Sequence, residues 1–94
     1  MKIIWRPQAE ADRDSIFEYI AEDNPHAALE LDEEFDDKAE TAARNPLMYR
    51  AGRVSGTREI VVRANYIMVY RIEDGGAIEI QQIVHARRQW PPKE

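Results

Sequence analysis

Residues 57–84 read TREIVVRANYIMVYRIEDGGAIEIQQIV, and the hydrophobic pattern of the chain takes up a period of two at Thr57. A period of two places alternate side chains on one face of a β-strand. Two turn signals interrupt the stretch, Ala64-Asn65 and Asp74-Gly75-Gly76, and glycine and aspartate tolerate the positive φ that hairpin turns need. We therefore predict an antiparallel meander of three strands, at residues 57–63, 66–73 and 77–84.

The beginning of the chain predicts a further strand followed by a helix. Lys2-Ile3-Ile4-Trp5 is short, apolar and β-prone, and Pro7 ends it. Proline also suits the first position of a helix, because its missing N–H would have no partner there. The residues that follow at spacings of four and three are typical of one helix face: Ala9, Arg13, Ile16 and Ile20.

A second helix is predicted after a linker of about four residues, which favours an antiparallel helix hairpin. Asn24-Pro25 supplies an N-cap and a first helical residue, and Asn45-Pro46 closes the helix. The apolar stripe of this helix consists of Ala28, Leu31, Phe35, Ala39 and Ala42. Residues 46–56, which include one proline and two glycines, are expected to form a loop.

These elements follow one another in the order β-α-α-β-β-β. A sheet needs one face covered, and the helix hairpin carries the only other sizeable apolar stripes. We predict an α+β fold in which an antiparallel helix hairpin packs on one face of a small, mainly antiparallel sheet. Ninety-four residues leave no room for two independent cores, so we expect residues 1–94 to form a single domain.

The charge of the chain is divided unevenly between its two halves. The formal net charge is −5, yet residues 1–43 carry 4 basic and 13 acidic groups, whereas residues 44–94 carry 9 basic and 5 acidic groups. The hydrophobic fraction of 44% excludes an extended disordered chain, and the overall acidity argues against a general nucleic-acid binder. A partner or target is therefore expected on the basic half.

The sequence predicts neither a cofactor nor a metal. Cysteine is absent, the two histidines fall on different predicted elements, and no glycine-rich phosphate loop occurs. The longest apolar run, residues 66–70, is far shorter than the roughly 20 residues of a membrane helix. Because the N-terminus also lacks the apolar stretch of a signal peptide, we expect a soluble cytoplasmic protein with no membrane partner.

The ordered motifs of the chain resemble, over essentially its whole length, the RelE/ParE superfamily of toxins from bacterial type II toxin–antitoxin systems. The matching features are Trp5-Arg6-Pro7, Pro25-x-Ala27-Ala28, Asn45-Pro46, Gly52-Arg53, Gly56-Thr57-Arg58-Glu59, Tyr66-x-x-x-Tyr70-Arg71, and residues 83–91 with the sequence IVHARRQWP. The resemblance implies the same α+β fold and the function of growth inhibition.

Two molecular targets are compatible with this resemblance. RelE-like members are ribosome-dependent mRNA endonucleases with a cluster of lysines and arginines on the sheet and a C-terminal acid/base residue. ParE-like members lack a complete set of these residues and instead inhibit DNA gyrase. The resemblance also implies a cognate antitoxin, whose C-terminal segment wraps the toxin and whose N-terminal part binds the operon DNA, so that the toxin meets this DNA only through the antitoxin.

The candidate site residues differ between the two targets. If the chain is RelE-like, His85 would be the acid/base, and Arg58, Arg63, Arg71 and Arg87 would bind the phosphate, since RNA cleavage needs proton transfer and cations at one place. If the chain is ParE-like, the residues that contact the target or the antitoxin would be Arg58, Arg63, Arg71, Arg87, Arg88 and Trp90. More ordinary roles are also open, such as His85 packing at a strand end.

The scarcity of lysine in the basic half favours the ParE-like interpretation. Lys93, in the C-terminal tail, is the one lysine of residues 44–94, whereas the nuclease members depend on lysines in the sheet. We therefore expect a toxin that acts on DNA gyrase and is neutralised by a cognate antitoxin. The alternatives are a ribosome-dependent mRNA endonuclease and a degenerate toxin that only binds its antitoxin.

Overall fold

Five strands and two helices make up residues 1–87, the part of the chain that the computed structural model describes. In chain order they are β1 (Lys2–Trp5), α1 (Pro7–Ala21), α2 (Pro25–Arg44), β2 (Arg50–Ala51), β3 (Arg58–Val62), β4 (Tyr66–Glu73) and β5 (Ala77–His85). The predicted α+β fold with the order β-α-α-β-β-β is confirmed, with one short strand added. None of the helices in residues 1–87 is both long and apolar enough to span a membrane.

The sheet has the strand order β1-β5-β4-β3-β2 and is antiparallel except at β1. β1 runs parallel to β5, in a register from Lys2 opposite Ala77 to Trp5 opposite Ile80. The meander of β3, β4 and β5 is the one that the sequence predicts. The N-terminal strand therefore forms one edge of the sheet, and the two-residue strand β2 forms the other.

Both helices pack on the same face of the sheet. The five apolar residues predicted for the inner face of α2 are all buried. They meet alternate residues of the meander, and the core consists of Ala9, Leu31, Phe35, Ala39, Ala42, Ala43, Ile60, Val62, Met68, Tyr70, Ile78, Ile80 and Ile83. The predicted N-cap is also confirmed, because the side-chain oxygen of Asn24 accepts a hydrogen bond of 3.1 Å from the N–H of Ala27.

The structure corrects the sequence prediction in the expected loop 46–56. Arg50–Ala51 forms a strand there, and Arg50 pairs with Glu59 of β3. The buried carboxylate of Glu59 explains this strand, since it accepts hydrogen bonds from the Arg50 side chain and from the N–H of Arg53. A two-residue strand held by one side chain leaves no periodic pattern in the sequence.

Two strand ends also differ from the prediction. β3 ends at Val62 because Arg63 and Ala64 have φ angles of 53° and 62°, in the left-handed region, so that Arg63 belongs to the turn and not to the strand. At the other end of the meander, β5 extends one residue beyond its predicted end, so that His85 is its last residue and pairs with Tyr66.

Arg13 occupies a position in the apolar stripe of α1 and connects three elements. Its guanidinium lies 4.6 Å from the centre of the Trp5 ring in β1. On α2, Nε donates to Asp32 at 2.9 Å and Nη1 donates to Asp36 at 2.8 Å. Burial lowers the pKa of Arg13, but the hydrogen bonds to Asp36 and Asp32 outweigh this effect, and the pKa lies above its ordinary value.

The neighbouring residue, Asp12, fixes α1 to the part of β5 that β1 does not reach. Val69 pairs with Gln82 and Tyr70 with Ile80, so the residue between them on β5 is a bulge. Beyond this bulge the N–H of Ile83 has no β1 partner, and the Asp12 carboxylate accepts its hydrogen bond at 2.8 Å. Asp12 thereby binds the sheet, and the adjacent Arg13 binds the second helix.

We predict that Arg13→Ala lowers the free energy of unfolding by about 2–3 kcal/mol, because it removes charge-assisted hydrogen bonds to two aspartates and the contact with Trp5. Arg13→Lys should recover part of the loss, since an ammonium keeps the charge but not the planar fork. Urea unfolding followed by circular dichroism measures both effects. The exposed Arg44→Ala variant serves as a control and should change stability by less than about 1 kcal/mol. A wild-type unfolding midpoint for Arg13→Ala would contradict this role.

Candidate functional site

His85 and Arg87 lie at the end of the sheet next to the β3–β4 turn. The imidazole of His85 meets the ring of Tyr66 edge to face, with 5.4 Å between ring centres. Its Nδ1 atom accepts a hydrogen bond of 3.1 Å from the backbone N–H of Arg87. In the neutral imidazole the proton therefore sits on Nε2. The side chain of His85 is oriented by a strand partner and by the chain that follows it.

Arg63 lies at the same end of the sheet but is engaged with a helix. It follows β3 in the turn, and its Nε atom donates to the carboxylate of Glu34 on α2. Both side chains are partly exposed, so the pair contributes little to stability. Because Arg63 is paired with Glu34, its charge is less available to a ligand at this end of the sheet.

Arg58 lies at the opposite end of β3 and holds a backbone turn. Its Nη1 atom donates to the carbonyl oxygen of Tyr49 at 2.7 Å and to that of Leu47 at 3.4 Å. Opposite Arg58, the hydroxyl of Tyr70 donates to the carbonyl oxygen of Pro46 at 2.6 Å. Burial raises the pKa of Tyr70, and the charge of Arg58 partly offsets this rise. These bonds fix the connection between α2 and β2.

Arg71 points to the other face of the sheet. Its neighbour Tyr70 belongs to the core under the helices, and successive side chains of a strand point to opposite faces. Arg71 passes close to Gly56, where an added Cβ atom would lie 2.7 Å from Nη1 of the guanidinium. Gly56 has a φ of 81°, as expected for the turn glycine that leads into β3.

The residues that the nuclease hypothesis requires are not all brought to one place. His85 pairs with Tyr66, whereas Arg58 pairs with Tyr70, four residues further along β4. Four residues of a strand span about 13 Å. Arg71 lies at the Arg58 end of the sheet but on the other face. Arg88 and Trp90, two of the predicted contact residues, lie outside the described residues.

The role of Glu59 was not predicted from the sequence. Its side chain is 1% exposed, on the face opposite Arg58. One carboxylate oxygen accepts from Nη2 of Arg50 at 3.1 Å, and the other accepts from the backbone N–H of Arg53 at 2.9 Å. Buried carboxylates are stable when they are paired and hydrogen-bonded in this way. The sequence did contain a signal for this role, because Glu59 is the one acidic residue among the arginines of residues 44–71.

The hydrogen bonds of Glu59 to Arg50 and Arg53 are called the Glu59 clamp. A small pocket of about 320 Å³ lies at the same end of β3, lined by Ala51, Gly56, Thr57, Arg58 and Ile72. Arg58 contributes to the pocket wall while it binds the turn at Leu47 and Tyr49. Within residues 1–87, no three acidic or histidine side chains lie close enough to hold a metal ion. This end of the sheet therefore has the guanidinium of Arg58, fixed by the backbone of the turn, and a pocket lined partly by small and apolar residues.

We predict that Glu59→Gln loosens residues 50–57, because a neutral amide cannot pair with two arginines. The variant should lose about 1–3 kcal/mol of stability, and trypsin should cleave after Arg50 and Arg53 faster than in the wild-type protein. Glu79→Gln is the matched control, since Glu79 makes a 3.4 Å contact with a half-exposed Arg6. Mass spectrometry of timed digests measures the cleavage. Equal cleavage rates for the two variants would contradict the role of the Glu59 clamp in holding residues 50–57.

Comparison with known proteins identifies the family. The family model described as "ParE toxin of type II toxin-antitoxin system, parDE" matches residues 3–90. The chain is 35% identical over 91 residues to the Y4kP protein of Sinorhizobium fredii, whose name designates it as a candidate toxin. The match covers 96% of this chain and 93% of that protein.

Solved structures share the fold. A chain of the chromosomal ParDE system from P. aeruginosa is 23% identical, with a TM-score of 0.79 over 93% of this chain and 97% of that one. A YoeB/ParE toxin from Agrobacterium tumefaciens is 21% identical, with a TM-score of 0.65 and coverage of 90% and 98%. A chain of the RelBE2 complex from Mycobacterium tuberculosis is 20% identical, with a TM-score of 0.63 and coverage of 89% of this chain and 95% of that one. The family match and the Y4kP relative together show that this chain belongs to the ParE family of toxins from type II toxin–antitoxin systems.

Proposed function

We propose that this toxin inhibits growth by binding DNA gyrase and that a cognate antitoxin neutralises it. The observation that carries the proposal is the separation of the candidate catalytic groups. The strand partners of His85 and Arg58 lie about 13 Å apart along β4, and Arg71 faces the other side of the sheet. Binding to a protein does not require these groups to meet at one atom.

RNA cleavage makes a stricter demand on the same residues. A base for the 2′-hydroxyl, an acid for the leaving oxygen and cations for the phosphorane must lie around one phosphate. Arg58 already donates to two backbone carbonyls, and Arg63 is paired with Glu34. The described part of the sheet also lacks lysine beyond Lys2, at its β1 edge. These features support a contact surface over a nuclease centre.

The antitoxin proposal has support from the structural neighbours and from the sheet. Similar solved structures come from toxin–antitoxin systems, among them ParDE and RelBE2. Within residues 1–87, β1 pairs only with β5, and an edge strand offers backbone groups to an added segment. We propose that the C-terminal segment of the antitoxin lies on the sheet and the helix hairpin with aromatic anchors.

A second candidate function is a ribosome-dependent mRNA endonuclease. One observation favours it: His85 is held with its Nε2 atom as the proton donor, beside the hydroxyl-bearing ring of Tyr66. This pair could serve proton transfer if a ribosome supplied the missing cations. The nuclease hypothesis thus needs the ribosome to complete the site.

We predict that the purified toxin inhibits supercoiling of relaxed plasmid DNA by gyrase and leaves mRNA on translating ribosomes intact. The pre-formed toxin–antitoxin complex is the control and should inhibit neither reaction. Agarose gels of plasmid topoisomers and primer extension on a reporter mRNA give the two readouts. Cut mRNA with normal supercoiling would replace the proposal by the nuclease function. No effect in either assay, and no growth defect on overexpression, would indicate a degenerate toxin that only binds its antitoxin.

A further inference from the structure

One edge of the sheet is rich in arginine, and the acidic residue next to it, Glu59, is buried. Residues 41–58 contain four arginines and neither aspartate, glutamate nor lysine. They run from the end of α2 through β2 to the start of β3. We name this surface the arginine edge and define it by Arg44, Leu47, Met48, Arg50, Arg53 and Arg58. The helix hairpin, in contrast, carries most of the acidic residues of the chain.

Two large apolar side chains lie exposed in the arginine edge. Leu47 is 71% exposed and Met48 is 58% exposed. Their backbone is fixed, because Arg58 donates to the carbonyl of Leu47 and the N–H of Met48 donates to the carbonyl of Asn45 at 3.0 Å. An ordered backbone that presents apolar side chains to solvent loses little entropy when a partner covers them.

Two arginines of the arginine edge have their side chains held in place. Arg58 is occupied by the carbonyls of the turn, so it positions Leu47 and Tyr49 and does not itself face the partner. Arg50 is bonded to Glu59 while its side chain stays 54% exposed. A guanidinium that is oriented before binding and remains exposed can pair with a further carboxylate at a smaller cost in side-chain entropy.

We propose that the arginine edge is the surface through which this toxin binds its protein target, and that the target presents acidic side chains around an apolar site for Leu47 and Met48. The inference rests on the proposed function, in that the toxin acts by contact with a protein. Exposed apolar side chains with arginines nearby along the chain match the composition of protein interfaces. Surfaces for single-stranded nucleic acid add aromatic stacking, and the exposed apolar pair here is aliphatic.

The geometry of the two sheet edges assigns this surface to a folded target. β2 contains two residues, so it has few backbone groups for an added strand, and recognition must depend on side chains. β1, at the opposite edge, is a regular four-residue strand that suits an extended segment such as an antitoxin. A rigid patch of side chains matches a folded acidic surface.

The test uses the double variant Leu47→Ser/Met48→Ser and the charge variant Arg44→Glu in the full-length toxin. The matched control is Leu29→Ser/Tyr19→Ser, which removes two exposed apolar side chains from the acidic hairpin. Binding to purified gyrase and to the antitoxin is measured by isothermal titration calorimetry, and growth is followed after induction at matched expression. Thermal unfolding verifies that each variant is folded.

We expect both arginine-edge variants to bind gyrase about tenfold or more weakly and to lose growth inhibition, while their antitoxin binding, and the gyrase binding and growth inhibition of the control, stay as in the wild type. Binding by the wild-type toxin should weaken as NaCl is raised, because the pairing is electrostatic. An arginine-edge variant that keeps full toxicity overturns the inference. Loss of antitoxin binding alone also overturns it, as does binding to an RNA oligonucleotide that depends on Leu47 and Met48.

The outcomes separate this inference from the proposed function. If the wild-type toxin does not bind gyrase, but the arginine-edge variants still lose growth inhibition with normal antitoxin binding, then gyrase is the wrong target and the arginine edge stands. If the toxin inhibits gyrase and the arginine-edge variants inhibit it equally well, then the proposed function stands and the arginine edge is wrong.

Discussion

The guanidinium of Arg13 is the contact on which the arrangement of helices and sheet depends. All three of its nitrogens are engaged, by Asp32 and Asp36 on α2, while its plane lies against Trp5 of β1. A planar group with five donors can satisfy these partners together, whereas an ammonium cannot. Because the adjacent Asp12 binds β5, two successive residues of α1 determine how the hairpin sits on the sheet.

This arrangement converts an uneven charge distribution into two surfaces. The hairpin keeps most of its acidic groups on its outer side, away from the sheet, and uses Asp32, Asp36 and Glu34 for pairs with arginine. The edge formed by β2 and its flanking turns keeps its arginines, with Glu59 as their buried partner. A small net charge of −5 therefore conceals a cationic edge suited to an acidic protein.

The sequence predicts the meander, the hairpin and the N-cap because each rests on a local pattern or on proline and glycine geometry. It does not predict β2, since a two-residue strand has no period, nor the role of Arg13, whose partners lie 19 and 23 residues away. For the site, charge and spacing select the cationic residues, and their roles stay predictions. They could not show that His85 and Arg58 lie at different ends of the sheet, because that follows from strand register.

In the proposed function, this toxin acts by contact with a protein and not by catalysis at His85. Growth after induction of His85→Ala, at an expression level matched to the wild type, distinguishes the two. We expect growth inhibition equal to that of the wild-type toxin, since His85 packs on Tyr66 at the end of the sheet away from the arginine edge. A folded, antitoxin-binding His85→Ala variant without toxicity would contradict the claim and establish an acid/base role.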